Sequence, residues 1–228
     1  MTLVTNGDLK KIIRKSLTLD DDLNEAYVAQ KKTFESKTET ISKQALDSHL
    51  ELYSGYIEKF NEVSAKLDSV DRKSANSNSS DVRSLKLDET YNMNGIYLHE
   101  LYFANTGAVN SAIHIDSLSY MRLDRDFGGF DRWQADFIAT GMASREGWVA
   151  CCLSTYLKRY INVMIDGHSN NIPFGCFPII VMDMWSHSYY KDYLKDKGKY
   201  IRKMMAELNW DIIETRFERA EKIIEALK

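Results

Sequence analysis

The run CFPIIVMDMW, residues 176–185, restricts the fold more than any other part of the sequence. Apart from Asp183 it is apolar throughout, with no alternation between apolar and polar positions. Such a run is typical of a strand that is covered on both faces. Pro178 fits best near the start of this strand, because proline cannot donate a hydrogen bond to a neighbouring strand. We therefore expect other elements to cover both faces of a small sheet.

Two stretches upstream of this run, WVACCLSTY and YINVMID, also have the character of strands, and a short polar break separates them. The second alternates with the period of a half-buried strand. Helical spacing of apolar residues precedes the strands at residues 130–142 and returns in the C-terminal tail. The apolar positions of the tail are Ile201, Met204, Met205, Leu208, Ile212 and Phe217.

The first half of the chain predicts two long helices. One extends from Ile41 to Asp68, with His49 on its apolar face, and the other covers about 88–105. A stretch rich in Ser, Asn and Asp, residues 68–84, suits a mobile surface connection between them. The apolar residues at helical spacing are Ala45, Leu52, Tyr56, Phe60, Val63 and Leu67 in the first helix, and Ile96 and Phe103 beside His99 in the second.

These patterns predict an α+β fold, with an N-terminal long helical hairpin and a C-terminal domain in which helices flank a three-stranded antiparallel sheet. The expected divisions are an N-terminal extension at 1–38, partly helical, a helical hairpin domain at 39–110 and an α/β domain at 111–228. A length of 228 residues with 44% hydrophobic content is enough to bury a full core.

Composition argues against several classes of partner. The formal net charge is −3 and the pI is near 6.0, so the chain has no basic excess for a nucleic acid backbone. No apolar stretch approaches the roughly 18 residues that cross a bilayer, and the first residues lack a signal-peptide core. We expect a cytoplasmic protein that binds neither nucleic acid nor membrane. Cys151, Cys152 and Cys176 are expected to be buried free thiols.

Three of the five histidines, His49, His99 and His187, occupy predicted inward positions, and Asp183 lies four residues before the last of them. A buried carboxylate is costly unless it is paired or coordinates a cation. Three imidazoles and one carboxylate form a mixed nitrogen and oxygen site that suits Fe, Mn, Zn or Cu, with a position left for water or substrate. Taken singly, each histidine is more often a structural residue than a ligand, so the residues alone leave both interpretations open.

The stretch VMDMWSHSYYKDY, residues 181–193, resembles the D-x-W-x-H-x-Y-Y signature of the iron/manganese superoxide dismutases. The resemblance extends from about Glu39 to the C-terminus. ISKQALDSH places His49 eight residues after Ile41, as in that family, and NGIYLHELYF places His99 before an aromatic pair. REGWVACCL and ELNW resemble two further family motifs outside the ligand set.

The resemblance implies one Fe or Mn ion per subunit, held by His49, His99, Asp183 and His187 with solvent as fifth ligand. It also implies that superoxide is the substrate and is converted to oxygen and hydrogen peroxide.

Around that site, Trp185 is expected to wall the pocket. His168, in DGHSNNIPFG, is expected to be the hydrogen-bond partner of the solvent ligand, because Gly95 leaves no donor at the alternative family position. The family's gateway tyrosine falls on Tyr56 or on Ile57, and we favour Tyr56 because only it has a hydroxyl. His114 has no matching role.

Several residues depart from the family pattern. Ser186 replaces a Glu that usually reaches across a dimer, and Tyr53 and Ser54 replace a His-His pair that would face Tyr190. We therefore expect a homodimer whose interface is altered at Ser186, Tyr53 and Tyr190. Leu98 and Phe103 stand where Asn and Trp are common in the family, so the pocket is expected to be more apolar than usual.

Two alternatives remain beside a superoxide dismutase. One is a structural or binding protein that keeps the fold with weak turnover or none, which the altered interface residues favour. The other is a mononuclear iron oxygenase, which needs only two histidines and one carboxylate. A third inward histidine, His49, argues against the oxygenase. The sequence does not distinguish Fe from Mn.

Overall fold

A computed structural model describes residues 28–34, 38–107 and 111–226. Their helices are α1 (Lys43–Ser69), α2 (Asp81–Asn105), α3 (Leu118–Phe127), α4 (Phe130–Ala143), α5 (Ser186–Tyr193), α6 (Lys197–Met205) and α7 (Trp210–Ala226), with a short 3₁₀ helix at Arg72–Ser74. The strands are β1 (Gly147–Ser154), β2 (Arg159–Asp166) and β3 (Cys176–Asp183). This is the predicted α+β fold. Among the described helices, none combines the length and the apolar character needed to cross a membrane.

Helices α1 and α2 form the predicted hairpin. Helix α1 begins after Ser42, whose hydroxyl accepts a hydrogen bond from the Ala45 amide at 3.2 Å. Its apolar face differs from the prediction at two positions, since Leu52 is 42% exposed while Tyr53 is fully buried, and Tyr56 is half-buried while Ile57 is buried. The 3.6-residue period accounts for this, because steps of four residues from Ala45 and His49 lead to Tyr53 and not to Leu52. The buried residues of α1 are Ala45, His49, Tyr53, Ile57, Phe60, Val63 and Leu67.

The connection between these helices is shorter than predicted, because α2 begins at Asp81 rather than near 88. The Ser80 hydroxyl accepts a hydrogen bond from the Arg83 amide at 3.3 Å, and Asp81 places a negative charge in the first turn. Both features stabilise a helix N-terminus. Composition alone predicted a loop there, since the same polar residues are common in caps and in loops.

The sheet has the order β2-β1-β3 and both pairings are antiparallel, which confirms the predicted sheet. Every residue of β1, the central strand, is buried. Pro178 lies opposite Cys152, next to a register irregularity between β1 and β3, where a missing backbone donor is tolerated. Strand β3 is continuously buried from Ile179 to Asp183, so its carboxylate lies at the end of an apolar strand.

Helices surround the sheet, although the tail is interrupted. It forms α6 and α7 with a break at 206–209, and Ile213 is buried while Ile212 is 37% exposed, contrary to the prediction for Ile212. Helix α3 was not predicted. Cys151 and Cys152 are buried and free as expected, whereas Cys176 is only half-buried.

The described part of the N-terminal extension, residues 28–34, contains neither helix nor strand and crosses the helical hairpin. The Asn61 side chain accepts from the Ala29 amide at 2.8 Å and donates to the Ala29 carbonyl at 3.1 Å. The Lys32 amide donates to the Tyr53 hydroxyl at 3.1 Å. Residues 1–27 and 35–37 lie outside the described residues, so the expected helix there, like the domain divisions, stays a prediction.

Candidate metal centre

Four side chains from four elements meet between the helical hairpin and the sheet. They are His49 on α1, His99 on α2, Asp183 at the end of β3 and His187 on α5, and one nitrogen or oxygen atom from each lies within 4.8 Å of the others. The first three residues are at most 2% exposed. Ligands about 2 Å from a shared ion lie within roughly 4 Å of one another. The four atoms are therefore close to the spacing that a bound ion requires.

The Asp183 carboxylate is the centre of this cluster. Its Oδ2 lies 3.0 Å from Nε2 of His49, 3.3 Å from Nε2 of His187 and 3.9 Å from Nε2 of His99. Its Oδ1 accepts a hydrogen bond from the Trp185 amide at 2.8 Å. Burial raises the pKa of Asp183, but His187 and His49 more than offset it and hold that pKa well below its usual range.

The backbone of Asp183 is fixed by two hydroxyls. Tyr200 donates to its carbonyl oxygen at 2.9 Å, and the Ser188 hydroxyl, whose single proton is shared between the Trp185 carbonyl oxygen at 2.7 Å and that of Asp183 at 3.1 Å, contributes the second contact. The Tyr102 hydroxyl lies 3.1 Å from that of Tyr200, so α2 and α6 are tied together below the carboxylate. Nothing in the local sequence indicates that Tyr200 belongs to the site, because its contact depends on how α6 folds back over β3.

His99 has a defined tautomer. A carbonyl oxygen can only accept, so Nδ1–H of His99 donates to the Gly95 carbonyl at 2.6 Å. The other nitrogen, Nε2, then carries a lone pair toward the cluster, and it is buried without a hydrogen-bond partner among the described residues. Burial lowers the pKa of His99 to about 3, with a further contribution from nearby His49, so the imidazole is neutral. A neutral imidazole whose other N–H is bonded to a carbonyl is the usual form of a metal ligand.

The two remaining imidazoles differ in charge preference. Burial lowers the pKa of His49, although Asp183 opposes this. Burial also disfavours the charged form of His187, which is 24% exposed at its side chain, but Asp183 outweighs it and the pKa of His187 is raised. The cluster is thus one carboxylate with two imidazoles that favour the neutral form and a third, His187, that loses its proton when it binds a cation. Three imidazoles and a carboxylate are a donor set that fits Fe or Mn.

His168 lies behind His99 and is fully buried, with its ring centre 5.9 Å from that of His99. An indole N–H only donates, so Trp148 Nε1 donates to Nδ1 of His168 at 3.0 Å. Nε2–H of His168 therefore donates to the Tyr56 hydroxyl at 2.8 Å. Burial lowers the pKa of His168 to about 4, which keeps it neutral. Trp148 was not among the predicted site residues, although it lies in the REGWVACCL motif.

Tyr56 and Ile57 have different positions. The Tyr56 ring lies 5.2 Å from that of His99, and its hydroxyl contacts His168, whereas Ile57 is part of the core. Burial raises the pKa of Tyr56, so the phenol stays protonated. A Cβ atom at Gly95 would lie 2.9 Å from the Tyr56 ring. Glycine there provides the space that the tyrosine occupies.

The other predicted residues are distributed as follows. The Trp185 ring packs 5.5 Å from His168 and stacks 5.8 Å from His187, at one side of the cluster. Tyr190 is 57% exposed and Ser186 is half-buried. The prediction that Tyr53 lies on a dimer interface is wrong for this arrangement. Tyr53 is fully buried beneath residues 28–34, and its hydroxyl donates to Glu100 at 3.0 Å. His114 is exposed and away from the cluster.

Comparison with known proteins agrees with this geometry. The family profile of the iron/manganese superoxide dismutases, C-terminal domain, matches residues 118–216. A "Superoxide dismutase [Fe]" of Aquifex pyrophilus is 37% identical over 194 residues, covering 83% of this chain and 90% of the relative. That of Aquifex aeolicus is 36% identical over the same shares. A "Superoxide dismutase [Mn] 1" of Halobacterium salinarum is 29% identical over 186 residues, covering 81% of this chain and 90% of the relative.

Proposed function

The chain belongs to the iron/manganese superoxide dismutase family, and from this premise we propose that it converts superoxide to oxygen and hydrogen peroxide at one Fe or Mn ion per subunit. The observation that carries the proposal is the buried Nε2 of His99, which has no hydrogen-bond partner in the part of the chain that the structure describes and is directed at Asp183, His49 and His187. A buried polar atom without a partner is costly, and coordination of a cation would satisfy it.

We assign the four ligands to His49, His99, Asp183 and His187. The bound ion would supply the one-electron redox change, alternately accepting an electron from one superoxide and giving it to another. The protein's own contribution is to fix the donor atoms. Asp183 is held through both its carboxylate and its carbonyl oxygen, and His99 through the Gly95 carbonyl, so β3 and α2 present these two ligands in a fixed arrangement.

The second contribution is a protected proton beside the site. Because His168 donates Nε2–H to Tyr56, the hydroxyl of Tyr56 accepts that bond and can donate its own proton to another acceptor, and the neighbouring Tyr91 hydroxyl is one such partner. The raised pKa of Tyr56 keeps that proton on the oxygen. Reduction of superoxide to hydrogen peroxide consumes protons, so we infer that Tyr56 orients and holds a proton close to His99. His168 and Trp148 keep it in position.

A third contribution is exclusion of water by aromatic side chains. Trp185 covers the cluster toward His187, while Trp148 packs edge-on against His99 with ring centres 4.8 Å apart. Phe103 contacts His49, with ring centres 4.9 Å apart. Such walls leave room for a small anion and lower the local dielectric, which strengthens the attraction between that anion and a cation.

We also infer a homodimer formed through the surface beside His187. A groove of about 450 Å³ borders His49 and His187, and exposed Leu52 and Tyr190 lie on it. Large apolar side chains grouped at an open groove are typical of an interaction surface. Ser186 belongs to this surface, whereas Tyr53 does not.

A second candidate is a protein that keeps the fold and the metal but turns over slowly. Ser186 favours it, because a short uncharged hydroxyl stands where the family resemblance expects a carboxylate.

The deciding experiment is elemental analysis of the purified protein together with a superoxide assay. We expect about one Fe or Mn per chain and turnover proportional to metal content. His99→Ala should lose both, while His114→Ala, which changes an exposed histidine, should lose neither. A protein that carries stoichiometric Fe or Mn and is inactive would support the second candidate instead.

A further inference from the structure

Glu146 precedes β1, and its side chain reaches the helix that carries His187. Its Oε2 accepts hydrogen bonds from the Ser186 amide at 2.9 Å and from the Ser186 hydroxyl at 3.3 Å. Ser186 is the first residue of α5, and His187 is the second. The carboxylate is therefore one peptide unit away from a proposed ligand.

Helix α5 has no cap from its own sequence. Trp185 is its N-cap residue, and its side chain makes no capping hydrogen bond. Free amides at a helix N-terminus favour a carboxylate partner, because the amide hydrogens and the helix dipole both attract negative charge. Asp183 accepts from the Trp185 amide, and Glu146 accepts from the next one. Two carboxylates thus hold two successive amides immediately before His187.

The backbone at Glu146 is fixed on both sides. Its carbonyl oxygen accepts from the Gly167 amide at 2.7 Å, next to His168. The Gly147 carbonyl accepts from the Met184 amide at 2.8 Å, next to Asp183. A Cβ atom at Gly147 would lie 1.9 Å from the Ile165 carbonyl oxygen, so only glycine permits this close approach to β2. The Glu146 side chain therefore starts from an immobile point.

We propose that Glu146 is a positioning residue that sets the orientation of the His187 imidazole through the Ser186 amide. The inference rests on the proposed function, because it concerns how His187 presents Nε2 to a metal. In this chain the carboxylate at the start of α5 comes from the entry to β1, while residue 186 itself contributes a hydroxyl that bonds to it. The role requires a hydrogen-bond acceptor of the length of glutamate at position 146, and does not require the Ser186 hydroxyl.

Four variants separate these requirements. Glu146→Ala removes the acceptor, and Glu146→Gln keeps an amide oxygen at the same distance. Glu146→Asp keeps the charge but is one methylene shorter, so its carboxylate does not reach the Ser186 amide. Ser186→Ala is the matched control, because it removes the weaker hydroxyl contact and leaves the backbone amide in place.

The measurements are the rate at which Fe- or Mn-loaded protein releases metal to a chelator, and the electron paramagnetic resonance spectrum of the Fe(III) form. The spectrum reports the ligand arrangement independently of turnover. We expect Glu146→Ala and Glu146→Asp to release metal about tenfold faster than the wild type and to have a changed spectrum. Loss of an outer hydrogen-bond partner commonly weakens metal binding by about this factor or more. Glu146→Gln and Ser186→Ala should stay close to the wild type in both measurements.

Equal release rates and spectra for the wild type, Glu146→Ala and Glu146→Asp would overturn the proposal. So would a Glu146→Gln variant as impaired as Glu146→Asp, since that would show that a hydrogen-bond acceptor of the right length is not sufficient. If Glu146→Ala does not fold, the comparison of Glu146→Asp with Glu146→Gln decides by the same criteria. A wild type that binds no Fe or Mn contradicts the proposed function itself, whereas a metal-loaded, active wild type with unaffected variants contradicts only this inference.

Discussion

Nε2 of His99 lies 3.9 Å from Oδ2 of Asp183, too far for a hydrogen bond, and no other described residue is its partner. The same carboxylate oxygen is within 3.3 Å of both other imidazoles of the cluster. An ion bound by all four side chains would give Nε2 of His99 a partner and would also offset the charge of Asp183. Such an ion would also account for a carboxylate at the end of a buried strand.

Asp183→Asn should abolish metal retention. The amide has nearly the same shape but no charge, and His49, His99 and His187 alone are neutral donors. We expect more than about a hundredfold loss of affinity for Fe or Mn, beyond the range typical for outer-shell changes. Equilibrium dialysis followed by elemental analysis measures this. Asp88→Asn, on the exposed side of α2, is the control, and equal affinities for the two variants would contradict the assignment.

His168→Ala should keep the metal and alter its redox behaviour. His168 contacts Tyr56 and Trp148 but does not belong to the four-atom cluster. We expect unchanged metal content, a shifted reduction potential and turnover lower by about 10–100-fold. His114→Ala should match the wild type in all three measurements. Loss of metal from His168→Ala would place that histidine in the ligand set, and an unchanged potential would remove it from the site.

The metal-free protein should lose stability as the pH falls from 6.5 toward 4. The pKa of His168 is lowered from 6.5 to about 4 and that of His99 to about 3, so the unfolded chain binds more protons in this interval. Stability therefore rises with pH there, by up to about 1.4 kcal/mol per pH unit for each histidine. The pKa of Asp183 is lowered from 3.8, so the stability that this carboxylate contributes is lost only at pH values below the interval from 6.5 to 4.

Urea unfolding of the metal-free protein at several pH values measures this slope. His168→Gln should reduce this slope by the contribution of about one bound proton, because glutamine does not titrate. The raised pKa of His187 contributes stability that is lost as pH rises above 6.5, so it does not produce the acid-side effect. Identical slopes for wild type and variant would show that His168 is not buried in neutral form.

Two glycines in the helical hairpin provide a matched pair. A Cβ at Gly95 would lie 2.9 Å from the Tyr56 ring, whereas a Cβ at Gly55 meets nothing within 4 Å. Gly55→Ala should therefore stabilise the protein by up to about 1 kcal/mol through helix propensity. Gly95→Ala should stabilise the protein less than Gly55→Ala does, or destabilise it by about 1–3 kcal/mol, because the new methyl group displaces Tyr56. Chemical denaturation of both variants checks this, and equal stabilisation would mean that Tyr56 does not pack on Gly95.

The sequence predicted the ligand candidates because each combines a polar side chain with an apolar environment. His49 and His99 lie on faces whose period is regular, and Asp183 ends an apolar strand, so their burial followed from local pattern. Their convergence did not, because it depends on how the hairpin packs against β3. The family resemblance supplied that step.

The features that could not be predicted from the sequence depend mostly on contacts between distant parts of the chain. Tyr53 has a side chain suited to an interface, and only the segment 28–34 lying over it shows that it is buried. Glu146 and Ser186 are 40 residues apart, and nothing in either local sequence indicates their hydrogen bond. The start of α2 was missed because Ser80 and Asp81 suit a cap and a loop equally.

The most direct test is the anomalous difference density of crystals of the Fe- or Mn-loaded protein, recorded at the absorption edge of the metal. We predict one peak per chain about 2 Å from Nε2 of His49, His99 and His187 and from Oδ2 of Asp183. A loaded protein with no peak among these four atoms, or with its only peak elsewhere, would contradict the account.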